Sequence, residues 1–152
     1  MLKSHEVLER GSFDAASVVD RVTIDLEDRR RRRLALEGEG GTSFLLDLPE
    51  VPSIRDGDGL KLTGGQIVLV RAAEERLLEI RADDTAHLVR ITWHLGNRHL
   101  PTQLLGDRLR IRADHVIEQM VKGLGGRTSE VVAAFDPESG AYGAGPVHHH
   151  SH

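Results

Sequence analysis

The sequence contains no cysteine. That single absence excludes disulfide cross-links, thiolate metal sites and thiol nucleophiles together. Aromatic residues make up only 3% of the chain, so its cores must be filled by Leu, Val, Ile and Ala. No apolar run approaches the roughly 20 residues that a membrane helix needs. The opening, MLKSHEVLERG, lacks the apolar segment of a signal peptide. A cytoplasmic protein without a membrane role is expected. Neither sign of charge dominates: the net charge is −4, with an acidic first half and a balanced second half. Bulk charge therefore argues against a nucleic-acid partner.

What is present fits a folded chain. Hydrophobic residues account for 39% and charged residues for 29% of the 152 positions, enough for one ordinary domain or two small ones. Residues 1–74 read as a small β-domain. SVVDRVTIDL (17–26) alternates apolar and polar residues, RLALEG (33–38) and SFLLDL (43–48) follow, and GLKLTGGQIVLVRA (59–72) reads as two strands joined at Gly64-Gly65. Pro49, Pro52 and the turn RDGDG (55–59) bar a long helix between them.

The pattern changes at AAEER (72–76). LLEIR (77–81) is a strand. A helix is expected over 84–95, started by Asp83-Asp84 and capped at Gly96. PTQLLG (101–106) and RLRIR (108–112) are two strands around Gly106-Asp107. A second helix runs from Asp114 to Leu124, and SEVVAAF (129–135) is a last strand. The order β-α-β-β-α-β is that of a ferredoxin-like fold, expected over residues 75–137. The class is α+β. Residues 138–152 are Gly-rich and aperiodic, and read as a flexible, His-bearing tail.

Histidine is the unusual count: nine in all, four of them among the last five residues. His87 and His94 are seven apart on the first helix, hence separated by roughly 10 Å. One ion cannot join them, and both read as helix surface. His99 lies past the helix end on a loop held by Pro101, a common place for ligands. From spacing alone it is an ordinary loop histidine. His115 follows the N-cap Asp114, where the helix dipole disfavours imidazolium and leaves a nitrogen free for a metal. An ordinary first-turn histidine fits that position equally well. His148, His149, His150 and His152 crowd four imidazoles together, and imidazole suits Ni2+, Zn2+ and Cu2+. Arg29 to Arg33 is either a patch for nucleic acid or a solvated edge, and the acidic first half favours the edge. No GxSxG, HExxH or P-loop pattern is present.

Several of these stretches resemble one family. WHLGNRHLPTQ (93–103), RADD (81–84), DHVIEQMVKGLG (114–125) and FDPESGAYG (135–143) are similar to the urease accessory protein UreE family, nickel metallochaperones. RRRRRLAL (29–36), LLDLP (45–49) and IRDGDGL (54–60) resemble its N-terminal domain more loosely, and PEVPS (49–53) departs from it. The resemblance implies a partner- or peptide-binding β-domain, then a ferredoxin-like domain that binds metal and forms a homodimer. It places the family's metal histidine at His99, on the two-fold axis, and a further one at His115. Where some members carry another histidine, this chain has Ala113. It implies Ni2+ as cargo, and the accessory GTPase and urease apoprotein as partners. A histidine-tailed metal store, a nucleic-acid module and a metallohydrolase are the alternatives.

Overall fold

A computed structural model describes residues 1–140, which form two compact units. The first comprises residues 1–73 with Ser139 and Gly140, and the second Glu74–Glu138.

The first unit is a six-stranded sheet. Its strands are β1 (Leu2–Leu8), β2 (Val18–Ile24), β3 (Arg33–Glu37), β4 (Ser43–Asp47), β5 (Gly59–Leu62) and β6 (Ile67–Ala72), in the order β2-β6-β5-β1-β4-β3. Alternation puts Val22 and Ile24, Phe44 and Leu46, Leu60 and Leu62, and Val68 and Val70 on one face, where they form the core. A single helical turn, α1 (Leu26–Arg29), follows β2 and is capped by the Asp25 side chain, which accepts from the Asp28 N–H. β1 is the strand that sequence periodicity does not reveal. It is charge-rich, yet it lies inside the sheet, parallel to β4 and antiparallel to β5. Its place comes from partners some 40 to 60 residues away, not from its own pattern.

The arginine run is divided between inside and outside. Arg29 is 1% exposed. Its Nη1 donates to the Ile24 carbonyl at 2.7 Å and its Nε to that of Ile54 at 3.2 Å. The expected solvated edge therefore begins only at Arg30. Arg31 sits 3.7 Å from Asp28, and Arg32 donates to the Leu48 carbonyl. The RDGDG turn is also a fastening point. The nearly buried Asp58 accepts from the Arg10 and Arg55 N–H groups, and Asp56 from that of Ala72.

Asp20 holds the loop between β3 and β4. Its carboxylate accepts N–H groups from Gly40 at 2.8 Å, Thr42 at 3.1 Å and Arg21 at 2.7 Å. Any β-carbon at Gly38 would collide with it. These bonds, that of Gly40 foremost, lower its pKa from 3.8 to about 2. Because the folded value is the lower one, the stabilisation is complete above the unfolded value and disappears as pH falls from 3.8 to about 2. We expect Asp20→Asn to flatten the melting-temperature profile of the first unit across that interval. An unchanged acid slope would contradict the assignment.

The second unit runs β7 (Glu74–Arg81), α2 (Thr85–Asn97), β8 (Gln103–Leu104), β9 (Arg108–Arg112), α3 (His115–Gly123) and β10 (Arg127–Ala134). Its sheet order is β10-β7-β9-β8, with every neighbouring pair antiparallel. Leu78, Ile80, Leu109 and Ile111 from the sheet pack with Ile91 and Leu95 of α2 and Ile117 and Val121 of α3. Asp84 and Asp114 cap the two helices, as their positions predict. Gly126 permits close packing: a β-carbon there would come within 2.6 Å of Val121. No helix among the described residues is long and apolar enough to cross a membrane.

Candidate metal-binding loop

The end of α2 differs from its expected form. The helix does not stop at Gly96 but continues to Asn97, with Arg98 as its C-cap. The next residue, His99, has φ +58° and is the only non-glycine residue with positive φ among those described. Its N–H donates to the Gly96 carbonyl at 3.0 Å, and the Leu100 N–H donates to that of Leu95 at 3.3 Å. This pair of bonds is the Schellman helix ending, in which the left-handed position normally belongs to glycine. Leu100 completes it by packing against the core that contains Leu95. Histidine tolerates the left-handed region better than most side chains, but still at a cost of about 1–2 kcal/mol. The backbone thus turns sharply at the exposed imidazole-bearing residue, between two hydrogen-bonded anchors.

His115 is the first residue of α3, with its side chain 83% exposed. Its Nδ1 lies 3.9 Å from Glu118 Oε1. Together with Asp114, Glu118, Glu130 and Arg76, it lines a polar cavity of about 220 Å³. A second, more apolar cavity of about 350 Å³ is lined by Leu100 and Pro101, which follow His99, by Ala113 and Asp114, which precede His115, and by Ile111 and Ile117. No group of three or more His, Asp or Glu side chains able to hold a metal ion is assembled among the described residues. Neither His99 nor His115 belongs to a ready-made group of three or more such ligands among these residues. His148, His149, His150 and His152 lie outside the described residues.

The other two helix histidines have different surroundings. His94 stacks edge-on against Trp93, with ring centroids 5.0 Å apart. Trp93 and Val89, one turn earlier, are more than 60% exposed. His87 is not the surface residue that its spacing suggests, for its side chain is only 11% exposed. Its Nδ1 accepts the Asp83 N–H at 3.0 Å, so Nε2 carries the proton and donates to the Leu124 carbonyl at 2.7 Å. The ring ties the start of α2 to the end of α3. We expect His87→Ala to destabilise the second unit by about 1–3 kcal/mol, since it orphans a carbonyl and an N–H. Urea unfolding measures this, and a change below about 0.5 kcal/mol would refute the structural role.

The two units define an α+β protein of two domains, with an exposed histidine-bearing loop at the end of α2. Two family models match the chain: the N-terminal domain of the UreE urease accessory protein over residues 3–73 and its C-terminal domain over residues 75–152. A urease accessory protein UreE from Bradyrhizobium sp. (strain ORS 278) is 55% identical over 150 residues, covering 99% of this chain and 70% of the relative. One from Bradyrhizobium sp. (strain BTAi1 / ATCC BAA-1182) is 54% identical, covering 100% and 73%. One from Rhodobacter capsulatus is 42% identical, covering 100% and 94%. The chain belongs to the urease accessory protein UreE family. It is an accessory protein of urease and not an enzyme.

Proposed function

We propose that the chain is a metallochaperone that binds Ni(II) and delivers it for assembly of the urease active site. The observation that carries this reading is His99, an exposed imidazole held in a left-handed helix ending where glycine would be more stable. One His99 supplies one ligand. A two-fold homodimer with the loops at its axis supplies two. Two imidazoles leave a nickel coordination sphere open, and His148, His149, His150 and His152 complete it. Ligands that leave one at a time suit a carrier better than a closed structural site. Trp93 and Val89, exposed on the helix that ends at His99, supply apolar surface for such a dimer.

In this reading residues 75–137 form a ferredoxin-like metal and dimerisation domain, a description that the strand order β10-β7-β9-β8 supports. Residues 1–74 bind partners, residues 138–152 are the metal-collecting tail, and His115 holds a separate, weaker ion. The receiving partners are the accessory GTPase and the urease apoprotein, in the cytoplasm. Zn2+ and Cu2+ compete for the same imidazoles.

Nickel calorimetry on the intact chain, His99→Ala and a chain ending at Gly145 tests the assignment. The intact chain should show a tight site at about half an ion per chain, the stoichiometry of one ion on a two-fold axis. His99→Ala should lose that site, and the truncation should weaken it. Parental binding by His99→Ala would leave a folded protein with a metal-storing tail. Affinity should also fall between about pH 8 and pH 5.5, because protons compete for imidazole nitrogens. A flat profile would exclude imidazole ligation.

A further inference from the structure

The outer face of the second sheet carries charge where its other face carries the core. Leu78, Ile80, Leu109 and Ile111 pack with the helices, so alternation turns Glu79, Arg81, Arg108 and Arg110 to the opposite side. The register sets Arg81 directly across from Arg108 on β9 and from Arg127 on β10. Three guanidinium groups therefore stand in one row over three neighbouring strands, a row about 10 Å long. Glu79, one pair further along, faces Arg110. Like charges directly opposite one another destabilise a sheet unless counter-charges hold them.

The carboxylates present do not balance the row. Asp83 meets Arg127 at 2.7 Å, at one end. Asp107 meets Arg108 at 3.0 Å and Arg81 at 3.4 Å, at the other. Glu79, mostly buried, is shared by Arg81, Arg108 and Arg110. Four guanidinium groups thus face three carboxylates. Arg110 is the most poorly matched. Its side chain is only 19% exposed, and its one ion pair among the described residues is the contact with Glu79 at 3.9 Å. Its Nε and that of Arg108 are buried without a hydrogen-bond acceptor among the described residues. A buried charged donor left unmatched is costly, and an added acceptor relieves that cost.

The chemistry of the acceptor follows from the donors. A guanidinium fork matches a carboxylate or a phosphate. Arg81 and Arg127 are exposed along the strip. Alternate side chains of an extended peptide lie about 7 Å apart, so two acidic residues fit its length. No aromatic side chain stands in the row to stack on bases. We propose that the row Arg127, Arg81 and Arg108, with Arg110 beside it, docks an acidic segment of a partner protein on the outer face of the second unit. The proposal does not depend on the nickel reading.

Fluorescence anisotropy with a labelled hexaglutamate peptide tests this on the full chain. The parent should bind the peptide. Arg81→Gln/Arg127→Gln should bind it about tenfold more weakly, as the loss of two exposed charge pairs predicts. Arg30→Gln/Arg33→Gln removes the same net charge from exposed positions of the first unit, and should bind as the parent does. Equal affinities for the two doubles would reduce the attraction to net charge and overturn the surface. Failure of the parent to bind the peptide would overturn it as well. Competition identifies the occupant. Displacement of the peptide by an equal concentration of inorganic phosphate would make the row a site for free oxyanions. Displacement by less than an equal concentration of a thymidine oligonucleotide would make it a nucleic-acid face. Either result overturns the docking of an acidic protein segment.

Discussion

Replacing His99 with glycine is expected to remove the tightest nickel site while leaving a chain more stable than the alanine variant. Both substitutions delete the imidazole, so both should lose nickel. They differ only in backbone. At φ +58° alanine keeps the clash of a β-carbon with the following carbonyl oxygen, and glycine removes it, a difference of about 1 kcal/mol. For a unit of this size, 1 kcal/mol moves the melting temperature by about 4–8 °C. Glycine should therefore melt measurably above alanine in thermal scans without metal. Equal melting would mean that the left-handed turn is not maintained in solution. If glycine retained tight nickel binding, the imidazole would not be the ligand. The position would then be an ordinary helix ending with an unfavourable residue in it.

The second large effect concerns Arg29. We expect Arg29→Leu to destabilise the first unit by about 3 kcal/mol or more, because it leaves the buried carbonyls of Ile24 and Ile54 without these donors. The neighbouring Arg30, exposed on the same run, should tolerate alanine within about 0.5 kcal/mol. Chemical denaturation followed by circular dichroism distinguishes them. Equal midpoints for the two variants would show that Arg29 is not held inside. The contrast also bears on function. If both variants retain nickel binding by the second unit, the arginine run has a structural role at its first position and a free surface at the rest.

These two residues show what a sequence discloses and what it withholds. The helices of the second unit were readable because Asp84 and Asp114 stand just before apolar residues at helical spacing. The strands of the first unit were readable wherever alternation is clean, as in β2 and β6. The end of α2 was misplaced because Gly96 is the obvious left-handed residue. The helix passes through it, and Leu100 reaches the core only if the turn falls at His99. Packing thus overrode local propensity. Arg29 was hidden for a related reason: five consecutive arginines look alike until α1 turns one of them inward. His87 and Glu138 depend on partners at Leu124 and Thr102, and no periodicity reports contacts of that range. The candidate site itself was visible through the GNRH stretch, but its backbone geometry was not.

The placement of β1 has a consequence for how the chain is made. β1, which precedes the other strands of its sheet in the chain, lies in the middle of that sheet, between β4 and β5. It cannot be paired on both sides until Leu62 has left the ribosome. The second unit has the same property, for β7 waits for its neighbour β10, whose last pair joins Glu74 to Ala134. Closing such wide loops before any contact repays them slows folding. Neither unit therefore offers a partial product that is stable on its own. Each should lose protease resistance abruptly, not gradually, as the chain is shortened past its last strand.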